Sequence, residues 1–189
     1  IVRCFRDEDL RADRQPEFTQ LDLEMAFVQR EDVMAVVEGC VRRIFKDALD
    51  IEIPLPLPRM TEHEAMERFG IDRPDTRFGL ELRDVTELMR EIDFNVFREA
   101  IDKGGVVKCI VASGGDKLTR KLTDGLTEEI KGMGGTGLPL TKVAAGANGI
   151  ELQTGIAKFL QPLAPKLCQA LAAKAGDTLF FMPGTNADA

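Results

Sequence analysis

The chain has 189 residues, 44% of them hydrophobic and 30% charged, with a formal net charge of −7. That is the make-up of a soluble globular chain long enough for one or two domains with cores of their own, and no apolar run approaches the roughly 20 residues that span a bilayer. The acidic balance lacks the bulk basic signature of a nucleic-acid binder, so any RNA contact must rest on a local patch.

Ile1 to Phe27 reads as a β-hairpin with a long charged loop. Its second half alternates: Gln20, Asp22 and Glu24 fall on one face, Leu21, Leu23 and Met25 on the other. Period two predicts a half-buried strand. Its amide and carboxylate face, next to Arg6, would suit the floor of a pocket for a small zwitterion or a nucleotide. Glu31 to Leu49 predicts an amphipathic helix, with Val33, Val36, Val37, Cys40, Val41, Ile44 and Ala48 at helical spacing and Glu31 and Asp32 at its N-terminus. Pro54, Pro56 and Pro58 then forbid a helix or a central strand and predict an extended connector. Thr61 with Glu64 forms a capping box for a short helix closed by Gly70. Ile71 to Gly79 reads as a linker, and a domain boundary is expected there, dividing 1–76 from 77–189.

The second part reads as α+β. A helix is expected over Asp84–Glu91, a strand over Val106–Ala112, and a helix over Leu118–Lys131 ended by glycines. Short strands are expected over Leu138–Ala145 and Ile150–Gln153. A largely helical stretch, Ile156–Lys174, is broken early by Pro162 and Pro165, and a last strand covers Thr178–Met182. The glycines at 132–137 are not followed by Lys-Ser or Lys-Thr and are not a phosphate loop. Cys4, Cys40, Cys109 and Cys168 are scattered without metal-ligand spacing, which predicts buried free thiols in a reducing compartment. The lone His63 lies at a helix start, where a surface or capping role is expected. The sequence opens with Ile1 in a strand-like segment and stops at Asn186-Ala187-Asp188-Ala189, and is expected to be a fragment of a longer protein.

Phe5-Arg6-Asp7-Glu8, the loop from Asp9 to Glu17, and Phe18 on the returning strand resemble motif 2 of class II aminoacyl-tRNA synthetases. Arg14 to Gln20 and Met60 to Gly79 are similar to the aspartyl branch of bacterial type. From there the chain resembles the insertion (GAD) domain that this branch shares with tRNA-dependent amidotransferase subunits. The resemblance implies part of an antiparallel-sheet catalytic core, the motif 2 hairpin plus helices, with an inserted α+β domain.

It also implies chemistry. Aspartate attacks the α-phosphate of ATP, and the aspartyl group then passes to tRNA. Such a reaction needs positioning and positive charge where negative charge develops. Arg6 matches the catalytic, ATP-binding Arg of motif 2. Glu8 matches the acceptor for the adenine amino group, Phe18 the ring stacked on adenine, and Gln15 a residue near the nucleotide. Asp22 matches the partner of the substrate ammonium, with Gln20 in support; a carboxylate suits a buried ammonium, which is costly unpaired. Two readings stand for Arg11 and Arg14: tRNA contacts, or surface pairs in which Arg3, Arg11 and Arg14 meet Asp7, Asp9 and Asp13. Two also stand for Lys117, Arg120 and Lys121, a patch facing tRNA or the solvated end of a helix. The resemblance further implies Mg²⁺ dependence, a cytoplasmic homodimer in the full-length protein, and no membrane association; no metal ligands are read from these residues. The family's anticodon-binding barrel, motif 1, aspartate-covering loop and motif 3 have no counterpart here, so the chain by itself is expected to be inactive. The rival reading is a non-catalytic RNA-binding or assembly module related to the amidotransferase insertion domains.

Overall fold

The computed structural model describes residues 1–9, 11, 12, 14–146 and 149–185. It forms two compact units, Ile1–Arg59 and Met60–Ala189.

In the first unit β1 (Val2–Phe5) and β2 (Glu17–Gln20) pair antiparallel, with Val2 opposite Gln20 and Phe5 opposite Glu17. Arg6 extends the ladder by one rung, its N–H donating to the Pro16 carbonyl at 2.9 Å. The strand expected to run on through Met25 stops at Gln20. The last pair of the ladder is Val2 with Gln20. Leu21, Leu23 and Met25 are exposed rather than half-buried.

Helix α1 (Arg30–Leu49) begins where Gln29 N–H donates to Asp32 Oδ2 at 2.8 Å. It ends on Asp50, whose N–H bonds back to the Lys46 carbonyl at 3.0 Å. Ion pairs one turn apart, Arg43–Asp47 at 2.5 Å and Lys46–Asp50 at 2.7 Å, line its polar side. The apolar stripe is where helical periodicity puts it, yet Val33, Val36, Val37 and Ile44 all stay exposed and no described residue of this unit is buried. The proline-rich connector is free of helix and strand, as its composition demands. It is tied back to α1 by Arg42–Glu52 and by Arg59 with Glu31 and Glu38.

The second unit holds an antiparallel five-stranded sheet in the order β3 (Arg83–Asp84), β4 (Val106–Ala112), β7 (Thr178–Gly184), β5 (Leu140–Gly146), β6 (Gly149–Gln153). Alternate residues supply one apolar face: Val107 and Cys109, Leu179 and Phe181, Val143, Leu152. Onto it pack Met89 of α3 (Thr86–Met89), Phe97 and Ile101 of α4 (Asn95–Asp102), Leu160 of α6 (Ala157–Leu160), and Leu167 and Leu171 of α7 (Ala164–Leu171). Phe97 sits edge-on to Phe94 at 4.8 Å and 5.7 Å from Phe181. Gln161 to Leu163 forms a 3₁₀ turn at Pro162, which breaks the long helix where the prolines predict. Helix α5 (Arg120–Gly132) starts on a Thr119 cap, the hydroxyl accepting from Leu122 N–H at 3.4 Å.

Three features depart from expectation. The helix expected over Asp84–Glu91 shortens to Thr86–Met89, because Asp84 pairs into β3 opposite Lys108. Helix α4 was not foreseen, because Phe94 at its N-cap offers no side-chain cap. Strand β7 runs past Met182 through Pro183. There the ring nitrogen faces the side β5 does not reach, since Leu140 already pairs with Phe180.

Helix α2 (Glu62–Phe69) is bracketed by Thr61, whose hydroxyl accepts from Glu64 N–H at 3.1 Å, and by Gly70 at φ 69°. Half of the capping box is made; the Glu64 carboxylate turns to Arg68 instead, at 2.5 Å. His63 is exposed on this helix. Helix α2 packs with the segments C-terminal to it. Leu82 N–H donates to the Arg68 carbonyl at 2.7 Å, and Arg68 pairs with Glu81 at 2.7 Å. Lys108, pointing away from the apolar core, reaches Glu67 at 2.5 Å. The compact units divide between Arg59 and Met60.

Lys108 is only 3% exposed. Replacing it with Ala strips Glu67 of a charge-assisted partner and is expected to cost about 1–3 kcal/mol. Lys108→Met refills the volume and is expected to cost less. Both variants lose the charge partner, so the difference between their denaturant midpoints measures the volume that Met refills, and equal losses would assign the whole cost to the lost ion pair.

The thiols divide two and two. Cys109 and Cys168 are buried, and desolvation pushes both thiol pKa values upward; Cys4 and Cys40 are half-buried. Maleimide labelling of the native chain is expected to modify Cys4 and Cys40 readily, and Cys109 and Cys168 only on unfolding. Rapid native labelling of all four would contradict this core.

Candidate functional site

The hairpin brings the sequence-selected residues together through its register. Cys4 faces Phe18, and Arg6, two residues along the same strand face, lies diagonal to it within reach of a long side chain. The Arg6 guanidinium stands 5.3 Å from the Phe18 ring centroid, a cation–π arrangement. Arg6 also faces Glu8 at 3.7 Å, and Arg14 approaches the other oxygen of Glu8 at 3.4 Å. Arg6, Glu8, Ala12, Arg14, Gln15 and Phe18 line one open cleft of about 390 Å³.

Four of the expected residues, Arg6, Glu8, Gln15 and Phe18, thus share this cleft, and Arg14 joins them. Gln20 sits on the same hairpin and takes a hydrogen bond from Cys4 Sγ at 3.4 Å, outside the cleft lining. Asp22 lies beyond the strand end and forms no ion pair among the described residues. Arg11 donates no side-chain bond there either; its carbonyl accepts from Arg14 N–H at 3.1 Å and turns the loop. None of the expected pairs with Asp7 or Asp9 forms among the described residues: Arg3 meets Glu17 at 3.1 Å, and Arg14 takes Glu8. A pairing with Asp13 falls outside the described residues.

Sequence reasoning missed Arg14 as a cleft residue. The available signal was its place at the loop's return, two residues before the ladder resumes at Pro16.

Chemically the cleft offers two guanidinium groups, one carboxylate and one aromatic ring. It carries an excess of positive charge for an anion, a flat apolar surface for a base, and an acceptor for an amino group. The ion pairs inside it are solvent-accessible and each worth under about 1 kcal/mol, so a ligand can exchange them at little cost. A larger cleft of about 660 Å³ lies between β6 and the α6–α7 region, but among the described residues Glu151, Lys158 and Gln161 are the only charged or amide side chains that line it. Gln161 is already engaged with Leu152 N–H at 3.0 Å. Among the described residues no group of three or more His, Cys, Asp or Glu is disposed to hold a metal, and no helix is long and apolar enough to cross a membrane.

The antiparallel hairpin thus carries an open cleft lined by Arg6 from one side and Phe18 from the returning strand. Residues 1–181 match the model for class II tRNA synthetases (D, K and N), and the chain belongs to that family. Within it, the chain is 50% identical to the aspartate–tRNA ligase of Staphylococcus saprophyticus, over 96% of this chain and 31% of that protein. It is 47% identical to the aspartate–tRNA(Asp/Asn) ligase of Persephonella marina and 48% identical to the aspartate–tRNA ligase of Halalkalibacterium halodurans, each over 96% of this chain and 30% of the relative. The chain spans about 30% of the length of these curated relatives.

Proposed function

We propose that the protein to which this chain belongs is an aspartate–tRNA ligase. It activates L-aspartate with ATP and transfers the aspartyl group to tRNA, and this chain supplies the motif 2 half of its active site. What carries the reading is the convergence of Arg6, Glu8, Gln15 and Phe18 on one cleft. Arg6 opposes charge on the α-phosphate as pyrophosphate leaves. Phe18 stacks on adenine, Glu8 accepts from its amino group, and Gln15 borders the nucleotide. Asp22, with Gln20, holds the aspartate ammonium, and Arg11 contacts the acceptor end of tRNA. ATP enters as a substrate. Mg²⁺, used by class II enzymes in general, finds no ligand set among the described residues of this cleft, where Glu8 is the only described carboxylate and is shared by two guanidinium groups; no step is assigned to it. Residues 77–189 form the insertion domain, and the full-length protein acts as a cytoplasmic homodimer. The relatives' names include both aspartate–tRNA and aspartate–tRNA(Asp/Asn) ligases, which supports aspartate as the amino acid and leaves both tRNA specificities within the proposal.

Incorporation of labelled aspartate into acid-precipitable tRNA by the full-length protein tests the assignment. Robust ATP-dependent incorporation supports it. Binding of tRNA without incorporation would favour the non-catalytic RNA-binding module instead. Asp22→Asn in the same protein is expected to raise the KM for aspartate at least about tenfold while leaving the KM for ATP near wild type, because an ammonium loses its counter-charge. An unchanged KM for aspartate removes Asp22 from the substrate site.

A further inference from the structure

We infer that Arg14 is a positioning residue of the nucleotide cleft, aligning Glu8 to receive the purine amino group; the inference rests on the ATP reading above. The two oxygens of Glu8 are divided between guanidinium groups arriving from opposite ends of the loop. Oε1 faces Arg6 at 3.7 Å and Oε2 faces Arg14 at 3.4 Å. A carboxylate held from both sides loses rotational freedom before ligand arrives, and pre-ordering an acceptor lowers the cost of binding. Charge supplies a second argument. A lone carboxylate lining a cleft for a triphosphate repels it. Among the described lining residues, Arg6 and Glu8 alone balance; Arg14 adds a second positive charge. The backbone sets Arg14 in place, since its N–H turns the loop onto the Arg11 carbonyl at 3.1 Å just before Pro16 rejoins β1 through Arg6 N–H. Arg11, at the other side of that turn, makes no such pairing among the described residues.

A residue that serves only tRNA leaves no trace in a reaction run without tRNA. Aspartate-dependent ATP–pyrophosphate exchange by the full-length protein, with tRNA omitted, therefore isolates the role. Arg14→Ala and Arg14→Gln are expected to raise the KM for ATP by about 3–10-fold with kcat within about twofold, and Arg14→Lys to recover most of the loss. The preference for ATP over purine riboside triphosphate, which lacks the amino group, is expected to shrink in the Ala and Gln variants. A merely structural residue would not alter that ratio. Unchanged KM and unchanged preference in both variants, with a raised KM for tRNA in aminoacylation, would overturn the inference and return Arg14 to tRNA contact alone. Absence of exchange by the wild-type protein is a different result: it overturns the ligase reading itself.

Discussion

Arg6→Ala in the full-length protein is expected to lower aspartate-dependent ATP–pyrophosphate exchange by about 10²–10³-fold in kcat, the loss typical of removing one group aimed at developing transition-state charge. The side chain is about half exposed, and its ion pair with Glu8 and its contact with Phe18 are both solvent-accessible. Such contacts contribute under about 1 kcal/mol to folding, so thermal unfolding of the variant is expected to match wild type. The strand survives too, because the bond that Arg6 adds to the ladder is made by its backbone N–H to Pro16. Arg6→Lys restores charge but not the planar fork and is expected to recover only part of the rate. A variant that keeps near-normal kcat would show that Arg6 decorates the cleft without acting in it.

Phe97→Ala is expected to destabilise this chain by about 3–5 kcal/mol, a large share of the roughly 5–15 kcal/mol that holds a domain folded. Phe97 is fully buried between Phe94 and Phe181, where helix α4 meets the sheet. Truncation leaves a cavity among rings that cannot collapse together, because Phe181 is fixed by strand pairing with β4. The contrast lies in the first unit. Val37→Ala, on the exposed face of α1, removes little buried surface and is expected to change stability by under about 0.5 kcal/mol. Urea unfolding of both variants measures the pair. A comparable loss from both would mean that the stripe on α1 is covered in solution.

The elements most legible in the sequence were those announced by local chemistry. Thr61 and Gly70 bracket α2, Thr119 opens α5, three prolines keep 51–60 free of helix and strand, and Pro162 breaks the last helical stretch. The β-rich run of β4 emerged with its expected bounds. What failed depended on distant partners. Gln20 to Met25 has a clean period of two, but alternation makes a strand only where a partner strand pairs with it, and the ladder of β1 with β2 ends at Gln20. The stripe on α1 likewise announces a helix without announcing what covers it. Helix α4 was hidden because its stabilisation comes from Phe97 and Ile101 in the core rather than from a cap. In the cleft, the Phe-Arg-x-Glu pattern identified Arg6, Glu8 and Phe18, whereas the return of Arg14 onto Glu8 depends on how the loop closes, which spacing alone does not encode.

The most direct measurement is ATP–pyrophosphate exchange by the full-length wild-type protein, run separately with each of the standard amino acids. Exchange with aspartate, and background levels with the others, is the predicted result. Folded protein that binds ATP yet exchanges with none of them, or that exchanges best with an amino acid other than aspartate, would contradict the account.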